Sequence, residues 1–302
     1  MFSQYFGQYL FNQGLVKASE LERALIAQND IRVKLGVLAI NRGWMTAEQV
    51  DAVHHAQTRM DKRFGEIAIE LGFIEEHLIE ELLIAQPSAH LALGQALIDH
   101  EIMSYEDFAQ ALNQYKQENS LSDEQFHAIV NGDIKVLLEA ELVNAGISGD
   151  SALVDYISLF AKNMIRFIDS GIRMEIGHTS DSLSAEWMAQ QLIQSENYSI
   201  DRLTVIAGSE QAFLRLASKY AQENVDTAGE MMVAAVGEFL NLHNGIYLVH
   251  RSNQGAELNM LPQMVKRGSE LITDSPIKTI IQVIGSEFSF YLIVTNLSEL
   301  TS

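Results

Sequence analysis

Four glycines recur at a fixed interval in the first third of the chain. Gly7, Gly36, Gly65 and Gly94 are each 29 residues apart, with no insertion between them. A second set, Gly14, Gly43 and Gly72, keeps the same interval, and Glu101 stands where its fourth member would fall. Leu21, Val50, Ile79 and Phe108 are in register, as are Gln28, Gln57 and Gln86, with Tyr115 in the fourth place. A constant period of this length marks a tandem array of one supersecondary unit. Each unit reads as two short helices. The first ends at the second glycine, which suits a C-terminal cap of positive φ. The second begins near Thr46 or Ser104, both good N-caps, and ends at the glutamine. Such hairpins bury their apolar faces only by stacking on neighbours. The fourth unit has lost its second glycine and its glutamine, as expected of a terminal, capping unit.

A chain of 302 residues has room for two domains. Hydrophobic residues make up 47% and low-complexity tracts are missing from the sequence, so a globular protein is expected. The net charge of −20 argues against binding extended nucleic acid, which needs Lys and Arg to displace counterions. With no cysteine, disulfides, thiolate catalysis and zinc–thiolate sites are excluded. The histidines lack metal-site spacing. The sequence contains no apolar run long enough to span a membrane and no secretory signal at its start, so a cytoplasmic protein is expected.

The period stops near residue 117. Residues 118–150 read as a linker and a bridging helix from about Ser122 to Ala145. A helix then opens the C-terminal part, with Leu153, Ile157, Phe160, Met164 and Phe167 on one face. Extended segments are expected at Arg173–Gly177, Trp187–Ile193 and Leu203–Ala207, and helices at Glu210–Tyr220 and Thr227–Leu248. A hairpin, Thr279–Ile284 with Phe288–Val294, closes the chain. The expected fold is therefore an all-helical repeat domain at 1–117 joined to an α+β domain at 151–302, with helices on a mainly antiparallel sheet.

The second long helix of that domain carries the chemistry. Thr227 and Glu230 read as a capping box at its start, and Val233, Val236, Leu240 and Tyr247 form its apolar stripe. Glu238 and Asn241 are three apart and lie side by side. Ala234 and Gly245, one turn to either side, would let another molecule approach closely. An amide has no useful pKa, but it can orient a water by donating and accepting hydrogen bonds. That is a large part of phosphoryl-transfer catalysis. The carboxylate can pair with a Lys on a partner. The four-residue pattern also occurs at Glu141 and Asn144. Gly208-Ser209 leads from a strand into a helix, but one glycine does not make a phosphate loop. His243 falls on the apolar side of its helix, where a residue at the edge of the core is expected.

In this context Gly237-Glu238-Phe239-Leu240-Asn241 with Gly245 resembles the active helix of the CheC/CheX/FliY chemotaxis phosphatases, most of all the CheX branch. Phe213–Ser218 and Ala256–Pro262 resemble further parts of that family. The resemblance implies that Asn241 directs water at the phospho-aspartate of a CheY-like response regulator and that Glu238 bridges to a Lys on the regulator. It implies no cofactor in this chain, since the Mg ion belongs to the partner receiver. Leu242-His243-Asn244 is bulkier and more polar than the small apolar residues of the family. The repeats resemble the MshEN motif of type II secretion and type IV pilus ATPases. That likeness implies cyclic di-GMP as a ligand, held by Lys34, Leu35, Gly36 and Gly43 with Arg63, Gly65 and Gly72 of the following unit. Members of that family also dock proteins without ligand. Residues 64–115 contain ten acids and no Lys or Arg, a field that repels a dianion. The chain thus reads as a two-domain signalling protein, a phosphatase of a phosphorylated regulator, with a non-enzymatic adaptor as the alternative. A homodimer is compatible with either.

Overall fold

The computed structural model describes residues 1–84, 89–147, 151–177, 185–195, 200–268 and 278–296. Gln86 of the repeat register lies outside the described residues. The chain forms two compact units, Met1–Leu137 and Leu138–Ser302.

The N-terminal unit is helical. Repeat 1 is α1 (Phe2–Asn12) and α2 (Ala18–Ala27); repeat 2 is α3 (Leu35–Asn41) and α4 (Ala47–Gln57). Repeat 3 is α5 (Phe64–Glu70) and α6 (Glu76–Ile84); repeat 4 is α7 (Ala89–Asp99) and α8 (Tyr105–Glu118). The two glycine sets have separate jobs. The first glycine of each repeat sits where its two helices cross, against the apolar residue fourteen positions on. A Cβ there would lie 2.9 Å from Leu21 at Gly7, 2.6 Å from Val50 at Gly36, 3.1 Å from Ile79 at Gly65 and 2.2 Å from Phe108 at Gly94. The second set takes positive φ, +69° at Gly14, +68° at Gly43 and +70° at Gly72. Each such turn closes with the same bond, Leu15 N–H to Leu10 C=O, Trp44 to Ala39 and Phe73 to Ala68, which is the Schellman cap. Glu101 keeps this geometry without being glycine: its φ is 56° and Ile102 N–H reaches Leu97 C=O. Thr46 and Ser104 are N-caps as expected, accepting from the N–H of Gln49 and Asp107.

The array closes on itself, which corrects the expectation of a terminal capping repeat. Helix α1 packs on α7 and α8, and α7 also meets α2 and α3. One residue that departs from the period, Tyr115, takes part in the closure. Tyr115 lies in an aromatic cluster with Phe2, Phe6 and Tyr9 at centroid distances of 5.4, 6.0 and 5.2 Å. A glutamine there could not supply that area, since aromatic pairs stabilise beyond their burial.

The stretch expected to form one bridging helix is two, α9 (Asp123–Val130) and α10 (Ile134–Asn144). Gly132, at φ +92°, breaks it, and Asp133 Oδ1 then accepts from the N–H groups of Lys135 and Val136. The C-terminal unit continues with α11 (Ser151–Phe167), β1 (Arg173–Gly177), β2 (Trp187–Ser195), β3 (Ile200–Gly208), α12 (Glu210–Ala221) and α13 (Glu230–Asn253). It ends with β4 (Leu258–Met260), β5 (Met264–Arg267), β6 (Lys278–Ile284) and β7 (Ser289–Asn296). The strands form one antiparallel sheet in the order β1-β6-β7-β3-β2-β4, with β5 also on β2. Two-residue periodicity sorts its faces. Thr204 of β3 and Gln191 of β2, directly opposite each other, bond to residues of α11 and α13. Leu203, Val205 and Ala207 point the other way, into a cluster with Met188, Ile280 and Ile293.

Candidate functional site

Helix α13 carries the site, and its sequence explains its position over one edge of the sheet. It starts at Glu230 with Gly229 as N-cap, so the expected capping box of Thr227 and Glu230 is not made. Gly229 is extended and has no side chain to cap with, and Thr227 lies two residues ahead of this N-cap. Val236, Leu240 and Tyr247 are buried as expected, while Val233 is half-buried. Gly237 and Gly245 face inward, and for Gly245 this runs against the expectation that it opens the face to a visitor. A Cβ at Gly237 would meet Gln263 at 3.2 Å and Val265 at 3.5 Å, and one at Gly245 would meet the Met260 methyl at 3.8 Å. They let the helix settle onto β4 and β5. Ala234 is exposed.

Glu238 is exposed on the open side of α13. Beside it runs a groove of about 580 Å³ lined by Phe167, Tyr220, Met231, Ala234 and Leu242. Burial, and next the charge of Glu238, push the Tyr220 phenol above its ordinary pKa. Asn241 is half-buried at the border of the same face. Its Oδ1 accepts from Gln191 Nε2 at 2.9 Å, and its Nδ2 makes no hydrogen bond among the described residues.

Behind Asn241 lies a polar chain that the sequence reading missed. Gln191 is 2% exposed. Its Nε2 also donates to Leu261 C=O at 2.9 Å, and its Oε1 accepts from Asn244 Nδ2 at 2.8 Å. Asn244 Oδ1 accepts from the Tyr156 phenol, which also bonds Thr204. The Arg202 guanidinium lies over the Tyr156 ring at 4.6 Å and the Tyr247 ring at 5.4 Å. Full burial drives the Tyr156 phenol far above its ordinary pKa, so it stays a neutral donor. His243 is wholly buried rather than at the core edge. It bonds Asn163 at 3.1 Å, and burial followed by the Arg202 charge lowers it to about 3. Of the bulky, polar Leu242-His243-Asn244 segment, His243 and Asn244 are therefore part of the core of this unit, while Leu242 lines the groove. A sequence signal existed for Gln191: it is the polar member of the inward set Ala189, Gln191, Ile193.

The Glu141 and Asn144 pair ends α10. Burial, and then the charge of Glu175 against that of Arg173, raises Glu141 to about 7. The N-terminus of α12 is already occupied, since Glu186 Oε2 accepts from Glu210 N–H at 2.7 Å and Ser209 Oγ from Ala212 N–H.

In the N-terminal unit, Lys34 and Leu35 share a cavity of about 740 Å³ with Arg32, His54, Gln57 and Phe64. The Lys34 ammonium sits 2.6 Å from Asp99 Oδ1, and its N–H donates to Gln95. His54 stacks on Tyr105, and burial lowers its pKa. Gly36 and Gly65 are buried at the helix crossings, Gly43 and Gly72 sit at caps, and Arg63 is exposed with its N–H on Glu66. The seven candidate ligand residues thus do not line one cavity; Lys34 and Leu35 do. Among the described residues no cluster of three metal-ligating side chains occurs, and no helix is long and apolar enough to cross a membrane.

No family model matches the chain, and no curated protein matches it. Among solved structures, the chain is similar to a CheC-like superfamily protein from Shewanella sp. PV-4. That likeness has 15% identity and a TM-score of 0.43, and covers 49% of this chain and 98% of that one. It is similar to a chemotaxis protein CheX from Desulfovibrio desulfuricans at 14% identity and a TM-score of 0.39, over 48% and 98%. It is also similar to a chain of the CheX–CheY complex with BeF3 and Mg from Borrelia burgdorferi, at 13% identity and a TM-score of 0.41, over 48% and 97%.

Proposed function

We propose that the C-terminal unit docks a phosphorylated receiver domain of the CheY type and hydrolyses its aspartyl phosphate. The observation that carries this is the exposed Glu238 with Asn241 one turn further on, its amide nitrogen left for an outside group. Asn241 holds a water in line with phosphorus, and Glu238 pairs with a Lys beside the phospho-aspartate and sets the register. Water attacks phosphorus, the acyl oxygen leaves as the aspartate carboxylate, and inorganic phosphate is released. The metal that such a receiver carries supplies charge stabilisation, so this chain contributes geometry. The groove beside Glu238 takes an apolar side chain of the partner. The experiment is the decay of a phosphorylated receiver with the full chain and with Asn241→Ala. Acceleration by the native chain that the variant loses supports the reading; no acceleration despite binding replaces it with a docking adaptor. The half-buried state of Asn241 is what favours that second reading.

The N-terminal unit, in the same reading, localises or regulates this activity by docking protein. Helix crossing accounts for the first glycine set and positive φ at the caps for the second, and Asp99 engages the Lys34 charge. Cyclic di-GMP is the second reading, favoured by the cavity at Lys34 with Arg32 on its wall. Titration calorimetry with the full chain and with Lys34→Ala decides it: no heat with the native chain removes the nucleotide.

A further inference from the structure

Gln191 has no free donor. Both hydrogens of its amide are used, one on Leu261 C=O and one on Asn241 Oδ1, each at 2.9 Å. Its oxygen takes Asn244 Nδ2 at 2.8 Å, inside a core where it is 2% exposed. The direction of every bond in this chain follows from one fixed group. A backbone carbonyl only accepts, so the nitrogen of Gln191 must face Leu261. Its oxygen must then face Asn244, which presents its own nitrogen there and its oxygen to Tyr156. The phenol donates to Asn244, and the Thr204 hydroxyl donates to the phenol. At the other end the second N–H of Gln191 points at Asn241. That fixes the carbonyl oxygen of Asn241 inward and its NH2 outward. A surface asparagine without such a partner turns its amide over freely, and half the time would offer the opposite polarity.

The placement of Gln191 has its own backbone reason. Strand β4 pairs with β2 at Ile193–Ser195 and β5 pairs with it at Trp187–Gln190. Between the two, Leu261-Pro262-Gln263 crosses over. Leu261 N–H reaches Leu192 C=O, but Leu261 C=O has turned back under α13, where the Gln191 side chain meets it. Leu there would remove the donor to that carbonyl and the acceptor of Asn244 Nδ2.

We propose that Gln191 is the positioning residue of this site: it locks Asn241 with its NH2 outward, so that a bound water is held through one oxygen lone pair while another points at phosphorus. This rests on the phosphatase reading for its consequence, but the lock itself does not. Gln191 touches neither water nor phosphate.

The test has two arms. In the native full chain, side-chain amide hydrogen exchange by NMR is expected to show protected Gln191 Nε2 protons and unprotected Asn241 Nδ2 protons. Protection of the Asn241 protons with exposed Gln191 protons overturns the proposal, whether or not the chain is a phosphatase. In the second arm, receiver dephosphorylation is compared for the native chain, Asn241→Ala, Gln191→Leu and Gln191→Glu. The glutamate keeps the shape but cannot donate while ionised, so it invites the Asn241 amide to turn over. A fall in kcat of about ten- to a hundredfold in both Gln191 variants, with KM for the receiver kept within about twofold, is expected from a misplaced water. A conserved kcat in either folded variant overturns the proposal while leaving the phosphatase reading intact. A native chain without activity removes the phosphatase reading, and the exchange arm then decides the lock alone. Should Gln191→Leu fail to fold, Gln191→Glu and the native exchange pattern still decide.

Discussion

The two units solve the problem of specifying a core in opposite ways. The N-terminal unit writes one contact four times: a glycine, and fourteen residues later the side chain that fills the space above it. The C-terminal unit writes its defining contacts once. Its polar chain joins Tyr156, Gln191, Thr204, Asn241, Asn244 and Leu261, drawn from four elements and the β4–β5 connection and from more than a hundred residues of sequence. Repetition tolerates error, because each crossing is a local bargain between two helices of one hairpin. A single buried chain of hydrogen bonds does not, because every member's orientation depends on the next. The two tryptophans allow the units to be compared in one molecule, since Trp44 lies in the first and Trp187 in the second.

The largest effect should come from the unrepeated network. Tyr156→Phe leaves the buried Asn244 Oδ1 and Thr204 hydroxyl without their shared partner. An orphaned buried polar group costs about 1–3 kcal/mol, so a loss of about 3 kcal/mol is expected for the pair. Urea unfolding followed at Trp187 measures it, and the Trp44 transition should not move. A change below about 0.5 kcal/mol would mean that water replaces the phenol, and the contrast between the units would collapse.

The repeated contact should be graded instead. Alanine in a helix gains about 1 kcal/mol over glycine, and overpacking costs about 1–3 kcal/mol. The outcome depends on the distance to the facing side chain. Gly94→Ala, where three atoms of the Phe108 ring lie between 2.2 and 2.8 Å from the new methyl, should lose about 2 kcal/mol, because a buried ring cannot yield. Gly65→Ala, at 3.1 Å from Ile79, should be neutral or slightly stabilising. Gly36→Ala should fall between. The Trp44 transition reads the series, and an effect that ignores the distances would show that the crossings are not what the glycines are for.

These contrasts explain what was legible beforehand. Helix α11, strand β1 and the β6–β7 hairpin stood out because their apolar periods are long or clean. The helix pairs of the repeats stood out through their glycines and caps. Closure of the repeats was hidden, because Tyr115 looked like a lost glutamine rather than a gained ring. Strand β5 was missed because Met264-Val265-Lys266-Arg267 is short and half basic. The Gly132 break hid inside an apolar pattern that continues past it. At the candidate site, Glu238 and Asn241 are singled out by the family resemblance of their helix, since their spacing alone recurs at Glu141 and Asn144. The residue that orients Asn241 lies fifty positions earlier, and only the pairing of β2 with β4 and β5 brings it under α13.

A third, smaller difference is one of charge. Glu141 in the C-terminal unit is raised to about 7 by burial and then by Glu175, so its folded pKa exceeds its unfolded one. Below about pH 4.5 the group is protonated in both states and costs nothing. Between about pH 4.5 and 7 the unfolded chain ionises this group while the folded unit keeps it protonated, so stability falls across that window and levels off above it. Glu141→Gln should therefore leave stability unchanged near pH 4.5 and raise it by about 1–2 kcal/mol at pH 8. Thermal unfolding followed at Trp187 across that range checks the sign. A variant equally stabilised at both pH values would point to packing rather than charge.

The smallest effect bears on whether the repeat is one design or four similar ones. Glu101 holds the left-handed turn that Gly14, Gly43 and Gly72 hold, at φ 56°, with the same closing bond to the residue after it. A residue with a Cβ costs about 1 kcal/mol in that conformation. Glu101→Gly should therefore stabilise the unit by somewhat less than that, since glycine also gives the unfolded chain more freedom. Gly43→Ala should cost about the same amount, and for strain alone, because nothing lies within 4 Å of the new Cβ. Opposite signs of similar size, read at Trp44, would mean that the fourth repeat keeps the backbone of the others without the residue that suits it. If Glu101→Gly instead destabilises, the Glu101 side chain contributes something that a glycine cannot, and repeat 4 differs from its siblings by more than its closing ring.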